Sequence, residues 1–132
     1  EELQVPDVKF SSILNMPSTD FQKIIRDLSI ISDKLELKSC GSELIFKCIG
    51  QFAKAEIRRT ESQGGMEFLK KDDNKIVQGV FSLKNLSYFI KCTNLCNQIE
   101  MYLENDLPLI VKYNVASLGE IKLCLAQLPI SE

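Results

Sequence analysis

The stretch Asn105-Asp106-Leu107-Pro108-Leu109-Ile110-Val111-Lys112-Tyr113 decides the fold class. Leu, Ile, Val and Tyr with few polar breaks read as a strand, and Pro108 near its start can sit only where no ladder N–H is needed. Strands flank it on both sides. Upstream, Ile99, Met101 and Leu103 alternate with Glu100, Tyr102 and Glu104; downstream, Ile121, Leu123 and Leu125 alternate with Lys122, Cys124 and Ala126. Period two places each set on one face of a sheet. Ahead of these three strands, Leu83, Leu86, Phe89 and Ile90 form the apolar stripe of a helix, with Lys84, Ser87 and Lys91 on its polar face.

The same order occurs earlier in the chain. Val8 and Phe10 alternate with Lys9 and Ser11 as a first strand, and Pro17-Ser18-Thr19-Asp20 offers capping oxygens to a helix over about 18–31. Phe21, Ile24, Ile25, Leu28 and Ile31 make its apolar stripe; Thr19, Lys23, Arg26 and Ile30 track another face. Three alternating segments follow, Lys34–Cys40, Leu44–Cys48 and Ala53–Ile57, the first two joined by the turn Gly41-Ser42. Two further β-like pieces, Met66–Lys70 and Lys75–Phe81, are split by the turn Lys71-Asp72-Asp73-Asn74. The chain thus holds two strand-helix-three-strand units, a candidate internal duplication. The expected class is α+β, with both helices packed on one side of antiparallel sheets.

A length of 132 residues with 45% hydrophobic content suits one folded unit with a real core. No apolar run approaches the roughly 18 residues that span a bilayer, and Glu1-Glu2-Leu3-Gln4 is unlike a signal peptide, so a soluble, intracellular chain with no membrane partner is expected. Five cysteines are an odd number, and reduced thiols are the default. The absence of His excludes Ser-His-Asp and Cys-His catalysis, and there is no phosphate-cradling loop of the G-x-x-x-x-G-K type; an enzyme is not expected. Cys92 and Cys96 form one close pair without a second, so no metal or cofactor is expected. A net charge of −2 argues against wholesale nucleic-acid affinity, which moves the question to where the 16 Lys and Arg residues fall.

Family-level features also run in order along the chain: Leu3-Gln4-Val5-Pro6, then Met16-Pro17-Ser18 with Phe21, Ile24, Arg26, Asp27-Leu28-Ser29 and Asp33, then Asp106-Leu107-Pro108-Leu109. Together they resemble the C-terminal half of the proliferating cell nuclear antigen family of DNA sliding clamps. The resemblance implies a DNA-clamp fold in which residues 1–7 end an interdomain connector, 8–129 form the C-terminal clamp domain and 130–132 a tail. A full subunit has two such domains. The function it implies is that of a non-catalytic polymerase processivity factor and recruitment platform in DNA replication and repair. Such a clamp acts in the nucleus or at a viral replication site and, when full length, forms a ring-shaped homotrimer around double-stranded DNA.

The resemblance also assigns residues. Lys23, Arg26, Lys84 and Lys91 match basic positions on the helices lining the central hole. Helical spacing alone favours plain solvation, and Asp20 and Asp27 dilute the first pair. Leu3, Val5, Pro6, Phe10, Pro108, Cys124, Leu125, Ala126 and Gln127 match the groove that captures short peptide motifs of polymerases, clamp loaders, nucleases and ligases. Cys124 stands where the family usually has Tyr, and Gln127 where it usually has Pro, which implies a wider pocket and altered partner specificity. At the Gly41-Ser42 turn the modifiable Lys of many eukaryotic clamps is missing. Ala53, Ala55, Ile57, Arg58 and Arg59 match the strand, at about 53–61, that pairs with the next subunit, and the strand at about 118–126 matches the one that pairs with the other domain. Weak self-association through these edges and poor DNA binding are expected of the domain alone. The competing readings are a generic α+β protein-interaction module and a checkpoint-type clamp paralogue.

Overall fold

Alternation of apolar and polar residues yields nine strands, and two amphipathic stripes yield two helices, among residues 9–61, 65–92, 96–115 and 119–129, which the computed structural model describes. In chain order they are β1 (Ser12–Pro17), α1 (Ser18–Ile31), β2 (Lys34–Cys40), β3 (Glu43–Ile49), β4 (Lys54–Thr60), β5 (Glu67–Lys70), β6 (Ile76–Ser82), α2 (Leu83–Cys92), β7 (Gln98–Leu103), β8 (Leu109–Val115) and β9 (Gly119–Leu125). The two expected units are β1-α1-β2-β3-β4 and β6-α2-β7-β8-β9. The first strand lies later than the alternation at Val8 and Phe10 suggests. Leu14 and Met16 supply its core face, and Phe10 precedes it. Ala53 likewise falls just before β4.

The units are interlocked. β1 pairs antiparallel with β7 of the other unit, Ser12 opposite Leu103, and β6 pairs antiparallel with β2, Ser82 opposite Lys34. The sheets are therefore β5-β1-β7-β8-β9 and β4-β3-β2-β6. Each unit lends its first strand to the other's sheet.

This exchange also starts the helices. The expected side-chain cap is not formed: Pro17 takes the N-cap position without a side-chain bond, and the Ser18 hydroxyl donates to the Cys96 carbonyl at 2.5 Å. The Ser18 N–H instead donates to the Asn97 carbonyl at 3.0 Å, and the Leu83 N–H to the Asp33 carbonyl at 2.9 Å. The first N–H of each helix, which has no partner within the helix, is thus satisfied by the residue leading into the opposite unit's strands.

One apolar cluster joins all layers. Phe21, Ile24, Ile25 and Leu28 of α1 and Leu83 and Leu86 of α2 meet Leu35, Leu37, Leu44, Phe46 and Phe81 of one sheet and Leu14, Met16, Met101 and Val111 of the other. Each such Leu, Ile or Phe contributes about 1.5–3 kcal/mol by leaving water. The helices also touch each other: the Ser29 and Ser87 hydroxyls lie 3.2 Å apart, small side chains that permit close approach. Each serine also donates to its own helix, to the Ile25 and Leu83 carbonyls.

Candidate functional site

Turning Phe21, Ile24, Ile25 and Leu28 inward forces Thr19, Lys23, Arg26 and Ile30 outward, and all four are exposed. On α2 the same logic exposes Lys84, Tyr88 and Lys91. The helix crossing brings Arg26 and Lys91 to one groove of about 310 Å³, lined also by Ser29, Ser87 and Ile90. Lys91 Nζ lies 5.5 Å from the centre of the Tyr88 ring. Lys23 is instead held 3.3 Å from Asp27, one turn on, in an exposed pair. Asp20 is engaged as well. Arg59 of β4 clasps it with two bonds, Nε to Oδ2 at 2.8 Å and a terminal nitrogen to Oδ1 at 3.0 Å. With both helix carboxylates matched, Arg26, Lys84 and Lys91 make no ion pair among the described residues. A face with this positive excess suits phosphate contact.

The described residues matched to a peptide groove lie on the outer face of the larger sheet and around its C-terminal strand. Tyr102, Ile110 and Cys124 are register partners across β7, β8 and β9, on the face opposite Met101, Val111 and Leu123. Phe10 packs edge-on against Tyr102, ring centres 5.5 Å apart, and the Tyr102 hydroxyl is bonded to the Glu100 carboxylate. Burial, and then Glu100, push the Tyr102 phenol above its ordinary value. Cys124, Pro108 and Ala126 are exposed, whereas Leu125 turns into the core. The Gln127 amide donates to the Leu107 carbonyl at 3.0 Å. Leu3, Val5 and Pro6 lie outside the described residues. Tyr102 joins this row only through the pairing: its parity is legible in the sequence, but the row it shares with Cys124 depends on register.

The sheets have four edges, and they differ. At β6 the Asn105 side chain takes the place of a neighbouring strand, accepting the Gln78 N–H at 2.8 Å and donating to the Ile76 carbonyl at 3.1 Å. Next along, the Leu128 N–H donates to the Val80 carbonyl at 2.8 Å. Gln127 lies over Gly79 so closely that a Cβ there would come within 2.8 Å of its Cδ. The β5 edge is only four residues long, and the pairing of β5 with β1 is shifted between Ile13 and Leu14. Short and irregular edges resist pairing. β4 and β9 are different: each is seven residues long, and no described segment pairs along its outer side. Their inward residues, Ala55 and Ile57 on β4 and Ile121 and Leu123 on β9, are only half-buried at the rim of the core.

Burial pushes the Cys48 and Cys96 thiols up from their ordinary value, which disfavours the thiolate that binds metals. Among the described residues no group of three His, Cys, Asp or Glu side chains is placed to hold a metal ion, and the Cys92 side chain lies outside them. No helix among them is long and apolar enough to cross a membrane.

Residues 4–128 match the family model of the proliferating cell nuclear antigen C-terminal domain. The chain is 38% identical over 120 residues to a probable DNA polymerase sliding clamp of Acanthamoeba polyphaga mimivirus, covering 91% of this chain and 25% of that protein. It is 35% identical over 129 residues to probable DNA polymerase sliding clamp 1 of Paramecium bursaria Chlorella virus 1, covering 95% of this chain and 48% of that protein. The chain therefore spans a quarter of one relative and about half of the other.

Proposed function

Because the chain belongs to the proliferating cell nuclear antigen C-terminal domain family, we propose that it is the C-terminal domain of a DNA sliding clamp, a non-catalytic factor that tethers a polymerase to its template. The observation that carries this reading is the inequality of the sheet edges. β6 is closed by Asn105 and Leu128, β5 is short and irregular, and the two long open edges, β4 and β9, belong to different sheets. A domain with one open edge on each sheet can pair with a different neighbour at each, which is how repeated domains build a closed ring. In this reading β9 pairs with the other domain of the same subunit and β4 with the next subunit, completing the burial of Ile57, Ile121 and Leu123. Three copies of a two-domain subunit make the ring.

Within that ring α1 and α2 face the duplex. Arg26, Lys84 and Lys91, with Lys23 once it leaves Asp27, contact phosphates weakly and without sequence preference, as sliding requires. The row Phe10, Tyr102, Ile110 and Cys124, with Pro108 and Gln127 at its margins, receives short peptide motifs from polymerase, clamp loader, nuclease and ligase. Cys124 in place of a larger side chain leaves more room beside Ile110, so partner preference differs from that of clamps with Tyr there. The protein works at sites of DNA replication, nuclear or viral.

The test uses the full-length subunit. Loaded onto a nicked circular plasmid it stays bound, and linearising the plasmid releases it, while the present domain alone binds linear duplex poorly. Retention on linear DNA with free ends refutes enclosure as the mode of holding.

A further inference from the structure

Phe52 is 94% exposed and Ile49 66% exposed. Single exposed apolar residues are common, but two large ones projecting at one turn beside an open strand form a patch of the kind that marks a contact. Ile49 ends β3 and Phe52 lies in the turn to β4, which is closed by the Gly50 N–H donating to the Ala53 carbonyl at 2.7 Å. The turn rests on the end of α1: a Cβ on Gly50 would lie 2.0 Å from the Ile31 carbonyl oxygen, so only glycine allows the two backbones to meet. Phe52 therefore projects from a firm support. It stands at the entry to β4, along whose outer side no described segment pairs and whose Ala55 and Ile57 are half-buried.

We propose that Phe52, supported by Ile49, is the apolar anchor by which one subunit grips the adjoining copy, inserting beside the strand that pairs with β4. The inference rests on the reading of β4 as an assembly edge and adds to it the residue that supplies most of the affinity. Stable interfaces bury about 1,200–2,000 Å², more than pairing of one seven-residue strand covers, and a single aromatic side chain adds about 150–250 Å². A turn whose backbone is already fixed at Gly50 loses less freedom on binding than an unsupported loop. The charges of the strand compete poorly for this role. Arg58 is already bonded to Glu56 at 3.2 Å and Glu43 at 3.3 Å, and Arg59 to Asp20. On the proposed reading of β4, the receiving pocket belongs to the domain of the neighbouring copy whose strand pairs with it.

The experiment is sedimentation equilibrium of the full-length subunit carrying Phe52→Ser, beside a Glu56→Pro variant that tests the edge itself. The Gly50–Ala53 bond fixes the alternation of β4, so that the Glu56 N–H points outward and its loss spares the pairing with β3. Phe52→Ser, altering a side chain in water, leaves the far-ultraviolet circular dichroism spectrum unchanged and weakens subunit association by about 30-fold or more, the loss of a hot-spot residue. If Glu56→Pro dissolves the ring while Phe52→Ser assembles like the wild type, the anchor is refuted and the β4 edge stands. If neither variant weakens assembly, both fall.

Discussion

Replacing Glu104 by Gln removes a charge that ties three segments together. Its side chain is 11% exposed at the end of β7. Oε1 accepts the Ser11 N–H at 3.0 Å and the Ser11 hydroxyl at 2.5 Å; Oε2 accepts Lys75 Nζ at 2.7 Å and the Asn105 N–H at 2.9 Å. The lead-in to β1 and the approach to β6 are thereby fixed to one carboxylate. Burial by itself pushes the carboxyl up, but the bonds from Lys75, Ser11 and Asn105 outweigh it and bring it down from 4.5 to about 2. A value lower in the folded than in the unfolded chain means stabilisation that is complete above 4.5 and vanishes as pH falls through about 2. At about 1.4 kcal/mol per pH unit the interval corresponds to about 3 kcal/mol. Lys75 is 39% exposed, so water screens its share, and about 2 kcal/mol is the expected cost of Glu104→Gln at neutral pH. Urea unfolding of both proteins between about pH 7 and about pH 2 reads this directly. The gap between them holds down to about pH 5 and then closes. A gap that does not change with pH, or one below about 0.5 kcal/mol at neutral pH, refutes the reasoning.

Two glycines give opposite outcomes on substitution by Ala. Gly50→Ala drives a methyl group into the Ile31 backbone and lowers stability by about 2 kcal/mol or more in denaturant melts, whereas Gly79→Ala meets only the end of the Gln127 side chain, costs under about 1 kcal/mol and speeds hydrogen exchange at the Leu128 amide. Neutralising Arg26 and Lys91 together in the full-length clamp lowers the slope of log affinity for DNA against log salt by about 1–2, with stability unchanged within about 0.5 kcal/mol; an unchanged slope places these cations away from DNA. Asn105→Ala opens the β6 edge, so the Gln78 amide exchanges faster and light scattering detects association beyond the wild-type assembly at high concentration; an already fast Gln78 amide in the wild type contradicts the role given to Asn105.

What could be read from sequence was local. The stripe from Phe21 to Leu28 and the alternations in β2, β3, β7, β8 and β9 each recur within a few residues, so they identify an element and its buried face without tertiary knowledge. The first strand was misplaced because Val8 and Phe10 alternate as well as Leu14 and Met16 do; what decides is pairing with β7, about ninety residues away, which a short window cannot contain. Exposure of Arg26 and Lys91 followed from helical spacing. Their meeting in one groove depends on a helix crossing at Ser29 and Ser87, and spacing within one helix does not encode it. Arg59 shows a signal present but unused. It shares parity with Ala55 and Ile57, the inward side of β4, and it turns to Asp20, joining the open edge to the first turn of α1.

The edges carry this argument furthest, because alternation identifies a strand and says nothing of whether it has one neighbour or two. Ile57, Ile121 and Leu123 have the composition of core residues and the exposure of a rim. In a protein complete by itself, incomplete burial of this kind would be expected at every edge alike. Here β6, with Val77 and Phe81 buried, is sealed by a side-chain amide that mimics a strand, while no described segment pairs along the outer sides of β4 and β9, whose inward apolar residues are half-covered. On the proposed reading of β4 and β9 as assembly edges, sealing one edge and leaving two others without a described neighbour would restrict association to two directions, and two directions per domain are what a closed chain of domains requires.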